Sequence, residues 1–457
     1  MEIKQFQLDH IGRFESLEVP LAPTEKVSSN VTIFIGNNGS GKTSILKSLA
    51  TSLSWFVARI KAEKGRGSPI PEDVIHAEHT SAAISVVIQD ECGQANNPNC
   101  DSDINDFSYK WIIAKTKKGR TSKFSSQLQG ATELAQHYRH LLSEKSNTNL
   151  PLIAFYPVER AVLDIPLKIR GKHSFLQIDG YDNSLNQGVD FRRFFEWFRE
   201  REDSENESGI SQEVLENLAN IMGEKHHLWK ELETLNASSK DRQLTAVRSA
   251  IRCFMPDFEN LRVRRKPKLH MSIDKKGKTF NVLQLSQGEK SLIALVGDIA
   301  RRLSMMNPGL ENPLEGDGVI MIDEVDMHLH PTWQRTIIQR LTNTFPNCQF
   351  VLTTHSPLVI SDTKDILVYS LDEQLNVVPS QFGQDVNSVL LGVMDTNIRN
   401  EAIETKLNDL LDLIQSRDLI KAKAFISELE QELPLDNLEL SKAKLLLRRE
   451  ELRSAKN

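Results

Sequence analysis

Residues 36 to 43 read Gly-Asn-Asn-Gly-Ser-Gly-Lys-Thr, a full match to G-x-x-x-x-G-K-[ST]. That spacing has a chemical reason. Gly36, Gly39 and Gly41 let the backbone curl around Asn37, Asn38 and Ser40, so that successive N–H groups point at phosphate oxygens. A helix opening at Lys42 adds its positive N-terminal end. Lys42 reaches the β- and γ-phosphates, and the Thr43 hydroxyl suits Mg²⁺. The chemistry is capture of a nucleoside triphosphate with its metal. A second stretch, DEVDMHLHP at 323–331, concentrates Asp323, Glu324, Asp326, His328 and His330. His-x-His beside carboxylates is also a plausible ligand set for a transition metal, so the surrounding elements must decide between the two.

Those elements alternate. IKQFQL and LEVPL have the period of strands, and VTIFI is a short buried β run directly before the glycine loop. SILKSLATSLSWFVARI, directly after it, has helical spacing. Strand, glycine loop, helix is the context that the phosphate-binding motif demands. AAISVVIQD and FSYKWIIAKTKKGR read as two antiparallel strands flanking a polar insertion, ECGQANNPNCDSDIND. Residues 130–146 read as a helix and LPLIAFYPV as a buried strand. DFRRFFEWFRERED places Phe191, Phe194, Phe195 and Phe198 on one helical stripe, read as the core of a helical lobe, with Asp190 as N-cap. SENESG reads as a solvated loop, and DRQLTAVRSAIRCFM as a helix stopping at Pro256. GVIMID is a buried strand, PTWQRTIIQRLTNTF a helix and CQFVLTTH a strand. From 401 onward two or three amphipathic helices follow, broken at Pro434.

Bulk properties narrow the class. The chain has 457 residues, 39% hydrophobic and 26% charged, enough for two or three structural units. A net charge of −6 excludes a molecule that is basic throughout, so any nucleic-acid surface must be local. No apolar run approaches the ~20 residues that span a bilayer. The opening MEIKQFQLDHIGRF lacks the apolar core of a signal peptide. Cys92, Cys100, Cys253 and Cys348 show no zinc spacing and read as free thiols. The expectation is a cytoplasmic protein without a membrane partner.

LQLSQGEKSLIAL selects among the many chains with such a loop. Ser286, Gln287, Gly288 and Glu289 resemble the signature motif of ABC-type ATPases, usually L-S-G-G-Q; Gln287 and Glu289 depart from it. A small Ser, a Gly and a helix start again make an N–H cradle for phosphate. VIMID with Glu324 resembles Walker B, and TTHSP carries His355 where that family has a switch histidine. The resemblance spans roughly residues 1–60 and 260–365. It implies an α/β fold: a P-loop ABC-type ATPase head of mixed β-sheets with helices, a helical lobe and a C-terminal helical extension. The expected organisation is 1–185 as the first part of the head, 186–258 as the lobe, 259–400 as the second part and 401–457 as a helical tail for dimer or partner docking.

The resemblance also implies roles. Asp323 and Thr43 hold Mg²⁺; Lys42, Glu324 and His355 are catalytic, with Glu324 polarising the attacking water. Ser286, Gln287, Gly288 and Glu289 meet ATP held by a second head, so a homodimer or a higher even-numbered oligomer is expected. Asp326, His328 and His330 fall on the loop that crosses the dimer interface, where His330 replaces a usual Asp. On this view DEVDMHLHP serves the nucleotide's Mg²⁺ and the interface, and a transition-metal site is the poorer reading. Gln89 is a candidate for the glutamine that couples site and lobe. Arg59, Arg66 and Arg160 are cations whose spacing leaves open which one meets phosphate.

Within the family, FYPVERAVLDIPLKIRGKHSF, YDNSL and DFRRFFEWFRERED resemble Septu-type anti-phage ATPases, including versions that accompany retrons. The implied partner is an HNH-type nuclease; in retrons a reverse transcriptase and its RNA–DNA product join. No nuclease site is evident in this chain: Asp101 and Asp103 lie in the polar insertion, and Asp409 and Asp412 on a helix face. The alternatives are a stand-alone RecF-like repair ATPase that clamps DNA and an ATP-binding scaffold with slow turnover. LRVRRKPKLHMSI alternates apolar Leu261, Val263, Leu269, Met271 and Ile273 with basic Arg262, Arg264, Lys266, Lys268 and His270. One extended strand would put the basic row on one face, extended by Lys275, Lys276 and Lys278. Such a row fits phosphates of a nucleic acid or keeps an edge strand soluble.

Overall fold

The computed structural model describes residues 1–90, 108–145, 147–158, 175–186, 191–208, 240–372, 374–434 and 436–454. The polar insertion with Cys92, Cys100, Asp101 and Asp103 lies outside them, as do Arg160, most of the AVLDIPLKIRGKHSF block and Asp190.

The described chain divides into two compact units, Met1–Gln384 and Asp385–Asn457. The first is built on three sheets. A six-stranded sheet has the order β13-β12-β3-β11-β10-β6. Its strands are β3 (Val31–Ile35), β6 (Leu152–Tyr156), β10 (Gly318–Ile322), β11 (Cys348–Thr353), β12 (Leu367–Leu371) and β13 (Leu375–Val378). All its pairings are parallel except β12 with β13. A parallel sheet covered on both faces needs strands that are apolar throughout, and β3, β6, β10 and β11 are buried at every position.

An antiparallel sheet of order β2-β1-β4-β5 joins β1 (Glu2–Ile11), β2 (Phe14–Pro20), β4 (Ser81–Gln89) and β5 (Ser108–Thr116). One buried glutamine stitches the two sheets together. Gln349 of β11 donates to the carbonyls of Ile3 (2.8 Å) and Ala22 (2.7 Å) and accepts the Ile3 N–H (2.8 Å). With all these bonds made, its burial costs little.

The helices of this unit are α1 (Lys42–Lys61), α2 (Gln129–Glu144), α3 (Phe191–Ser208), α4 (Arg242–Phe254), α5 (Gln287–Met306), α6 (Pro331–Gln334), α7 (Ile337–Thr344) and α8 (Pro357–Ser361). α5 is buried nearly all round, including Asp298, Arg301 and Arg302. Its charges are paired inside: Asp298 accepts from Arg301 (2.7 Å), Arg302 (2.7 Å) and the Tyr156 hydroxyl (3.0 Å). Burial works against the Asp298 carboxylate, but the two guanidiniums hold its pKa below the usual value. The aromatic stripe of α3 is core, with Phe191, Phe194, Phe195, Trp197 and Phe198 at 0–2% exposure. It reaches α5 at Gly297, where a Cβ would come within 2.9 Å of the Phe194 ring.

Three expectations need correction. α3 continues through Ser208, so the described part of SENESG is helix rather than loop. PTWQRTIIQRLTNTF forms two short helices, α6 and α7, interrupted at Arg335–Thr336. The basic row is not one strand. β7 (Phe258–Arg264) and β8 (His270–Lys275) form a hairpin, and β9 (Lys278–Asn281) completes a third sheet. Pro267 interrupts the row, and proline, lacking an N–H, cannot extend a ladder there.

The second unit contains α9 (Val386–Gly392), α10 (Glu401–Gln415), α11 (Leu419–Glu432) and α12 (Leu438–Ser454). Leu407, Leu410 and Ile414 of α10, Ala422, Ile426 and Leu429 of α11, and Leu440, Ala443 and Leu447 of α12 form its core. No helix among the described residues is long and apolar enough to cross a membrane.

Candidate nucleotide site

The parallel strands β3, β11 and β10 are neighbours, so the segments that follow them emerge on one edge of the sheet. That edge is where open α/β sheets bind ligands. It gathers the glycine loop after β3, TTHSP after β11 and DEVDMHLHP after β10.

In the loop, Gly36, Gly39 and Gly41 all have positive φ (143°, 80° and 96°), which side chains tolerate poorly. A Cβ on Gly41 would lie 2.6 Å from the Phe14 ring, so the β1–β2 turn packs directly on the loop. Arg13 of that turn donates to the Asp372 carbonyl (2.7 Å). Gly41 is also the N-cap of α1 and supplies no side-chain acceptor, leaving the first-turn N–H groups for an anion. Lys42 is buried, and its ammonium donates to the carbonyls of Gly36 (2.8 Å) and Asn37 (3.0 Å). Desolvation pulls its pKa below the usual lysine value, against the opposing pull of Asp323 and Glu324.

The Thr43 hydroxyl donates to Asp323 Oδ2 at 2.7 Å, joining residues 280 apart in sequence. Asp323 is 1% exposed. The Thr353 hydroxyl donates to Asp323 Oδ1 (2.6 Å) and accepts the Glu324 N–H (2.7 Å). One threonine therefore orients both acids. Glu324 has φ 48°, a left-handed conformation that is uncommon for a glutamate and that the flanking bonds must hold. A curled glycine loop, an uncapped helix start, a buried lysine and a hydroxyl–carboxylate pair fit a nucleoside triphosphate with Mg²⁺. Thr43 and Asp323 would hold the metal.

Beyond Glu324 the chain turns sharply. The Thr354 hydroxyl donates to the Asp326 carboxylate. His328 is exposed with φ 63°. His330 is the N-cap of α6, its Nδ1 accepting the Thr332 N–H (3.3 Å). The imidazole thus does the capping work that an Asp oxygen does at such a position. Among the described residues no group of three or more His, Cys, Asp or Glu side chains could hold a metal ion by itself.

The LSQGE segment opens α5. Ser286 and Glu289 form a reciprocal capping box, with the Ser286 N–H donating to Glu289 (2.9 Å). Ser286 and Gln287 are exposed; Gly288 and Glu289 are buried. A Cβ on Gly288 would lie 2.4 Å from the His328 carbonyl oxygen. The signature segment and the loop 326–330 are thus in direct contact. The Glu289 carboxylate is occupied by Ser286 and by Lys275 (2.5 Å), so it serves the helix cap. His355 is exposed, two residues past the end of β11.

Other candidates fall away from this edge. Gln89 pairs with Glu2, at the opposite end of β1 from the turn that touches Gly41. At about 3.3 Å per residue that is roughly 30 Å distant, so Gln89 is not the coupling glutamine. Arg59 lies about 25 Å along α1 from Lys42 and is bonded to the Leu128 carbonyl (2.6 Å). On the third sheet Arg262 lies opposite Ser272 and Arg264 opposite His270, with Val263 and Met271 buried beneath. The basic face is therefore real but short; Lys266 and Lys268 are exposed in the loop joining the two strands. Thr353 and Phe14 are the contributors that motif spacing missed, although TTHSP contained the first.

Fold and site together define a P-loop ATPase head of the ABC type. The chain belongs to the family described as "AAA domain, putative AbiEii toxin, Type IV TA system", whose model matches residues 31–361. It is 34% identical over 398 residues to the Retron Vc95 probable ATPase of Vibrio cholerae, covering 80% of this chain and 75% of the relative. Identity to the Retron Ec83 probable ATPase of Escherichia coli is 32% over 394 residues, 79% of this chain and 69% of that one. The Septu protein PtuA of Bacillus mycoides is similar over a shorter span, 36% over 123 residues, 24% of this chain and 17% of that protein.

Proposed function

We propose that this chain is an ATP-binding and hydrolysing regulatory subunit of a bacterial anti-phage defence complex of the retron or Septu kind. It acts as a dimer of heads, or a higher even-numbered assembly, and controls a separate HNH-type nuclease. The observation that carries the enzymatic part is the Thr43–Asp323–Thr353–Glu324 chain of hydrogen bonds beside the glycine loop. Bound Mg²⁺ would neutralise charge on the β- and γ-phosphates. The N–H groups of the glycine loop and of the first turn of α1 cradle the inner phosphates, and Lys42 reaches the β- and γ-phosphates. Glu324 polarises a water for attack at phosphorus, giving ADP and phosphate.

The dimer rests on the contact of Gly288 with His328. It makes Ser286, Gln287, Gly288 and the loop with Asp326 and His330 one surface, suited to cover a second head's nucleotide, with His355 at the γ-phosphate. The named relatives support membership of a retron or Septu system; the nuclease, and in a retron the reverse transcriptase and its RNA–DNA product, are the partners that the resemblance to those ATPases implies. Affinity purification of the chain expressed with its native neighbouring genes tests that partnership. An HNH-type nuclease in the purified complex, identified by mass spectrometry, is expected. Recovery of the ATPase alone, with no nuclease encoded beside it, would contradict it.

A further inference from the structure

α12 carries two apolar stripes on opposite sides. Leu440, Ala443 and Leu447 fill the core of the second unit. Leu438, Leu445 and Leu452, spaced by seven residues, are 66%, 69% and 61% exposed. Seven residues fall about 20° short of two helical turns, so the three side chains form one line roughly 21 Å long. Leu446, 40% exposed, lies more than a quarter-turn round the helix from that line. A row of large apolar side chains on a surface helix calls for a cover.

Charge indicates what covers it. The acidic residues of α12 are all engaged within the unit: Glu439 with Lys442 and Arg399, Glu450 with Arg453 and Arg417, Glu451 with Lys423. Arg448 and Arg449 are exposed beside the leucine line. Arg448 and Arg449 make no ion pair with the described residues. A second copy of α12, parallel or antiparallel, would set these cations against their own kind. An anionic membrane would satisfy the charge, but the line lacks the Trp and Phe that anchor interfacial helices.

We infer that this face of α12 docks an acidic amphipathic helix of a partner protein, with apolar side chains on the leucine line and Glu or Asp beside Arg448 and Arg449. This is helix-against-helix recognition with flanking charges setting the partner. The inference needs no ATP turnover.

The test uses the full chain and a fluorescein-labelled synthetic 21-residue helix with Leu at heptad positions a and d and Glu at e and g. A Lys-for-Glu version is the control. The acidic peptide is expected to bind in the micromolar range. Binding should weaken at least tenfold in Arg448→Glu/Arg449→Glu and in Leu445→Ser/Leu452→Ser, with unfolding temperature and ATP turnover unchanged. The Lys peptide should not bind. Absence of acidic-peptide binding, or equal binding of both peptides, would overturn the inference. So would a drop in oligomer mass in the leucine variant, which would make a second copy the cover. Adsorption of the chain, but not of the leucine variant, to phosphatidylglycerol vesicles without peptide binding would assign the face to a membrane.

Discussion

The Lys275 ammonium lies 2.5 Å from one oxygen of Glu289, whose other oxygen accepts the Ser286 N–H at 2.9 Å. Lys275 is the last residue of β8, so a salt bridge ties the basic-faced third sheet to the first turn of α5. Glu289 is held below the usual carboxyl range: burial raises its pKa, but Lys275 and the Ser286 N–H outweigh it.

Lys275→Met should loosen the α5 cap. With Lys275 one-third exposed, solvent screening limits the cost in stability to about 1 kcal/mol or less. ATP turnover should fall several-fold through kcat, while binding of a fluorescent ATP analogue to an isolated head stays unchanged. Lys275→Arg should restore turnover. Equal loss in both variants would mean that Lys275 merely packs.

The same pair gives a signed pH dependence. Glu289 titrates below its ordinary value of 4.5 in the folded chain. Its contribution is therefore fully present above 4.5 and fades as pH falls through the lower folded value. The stability gap between the native chain and Lys275→Met, from urea unfolding at a series of pH values, should be constant above about pH 5.5 and close in acid. A gap that widened in acid would show the sign to be wrong.

Thr353→Val removes one donor to Asp323 and the acceptor of the Glu324 N–H; the near-isosteric side chain should keep buried β11 folded. Loss of positioning at a reacting centre commonly costs about 10²-fold. Turnover should fall by that order and Mg²⁺ dependence should shift to higher concentration, with Thr353→Ser largely active. Steady-state assays over a Mg²⁺ series check it.

Replacing Arg264, Lys266 and Lys268 by Glu removes exposed cations from the hairpin tip. If these cations neutralise phosphates, the slope of log Kd against log salt for duplex DNA or RNA should shrink by about 0.9 for each phosphate left unneutralised. An unchanged slope in fluorescence anisotropy titrations would leave the row a solubility device.

Much of this was legible in the sequence because catalytic loops carry their own punctuation. The glycines of 36–41, the apolar runs before them and before Asp323, and the spacing of Phe191, Phe194, Phe195 and Phe198 each encode one local requirement. What stayed hidden depends on interactions between distant residues. Arg301 and Arg302 stand three and four residues from Asp298 on one helix, but nothing in that stretch shows that the trio is buried or that the Tyr156 hydroxyl, 142 residues away, completes it. Period-2 alternation runs unbroken through this hairpin because opposed residues share a face and the connection between Arg264 and His270 has an odd number of residues, so paired positions keep the same parity. Only Pro267 signalled that LRVRRKPKLHMSI bends. Gln89 misled because position at a strand end does not reveal which end of the sheet bears the site.

In the proposed mechanism Glu324 activates water at a nucleotide held by Lys42, Thr43 and Asp323. Single-turnover hydrolysis of radiolabelled ATP by Glu324→Gln tests it most directly. At least a hundredfold slower phosphate release is expected, with ATP and Mg²⁺ still bound and the closed dimer accumulating. Native-like hydrolysis by that variant would contradict it.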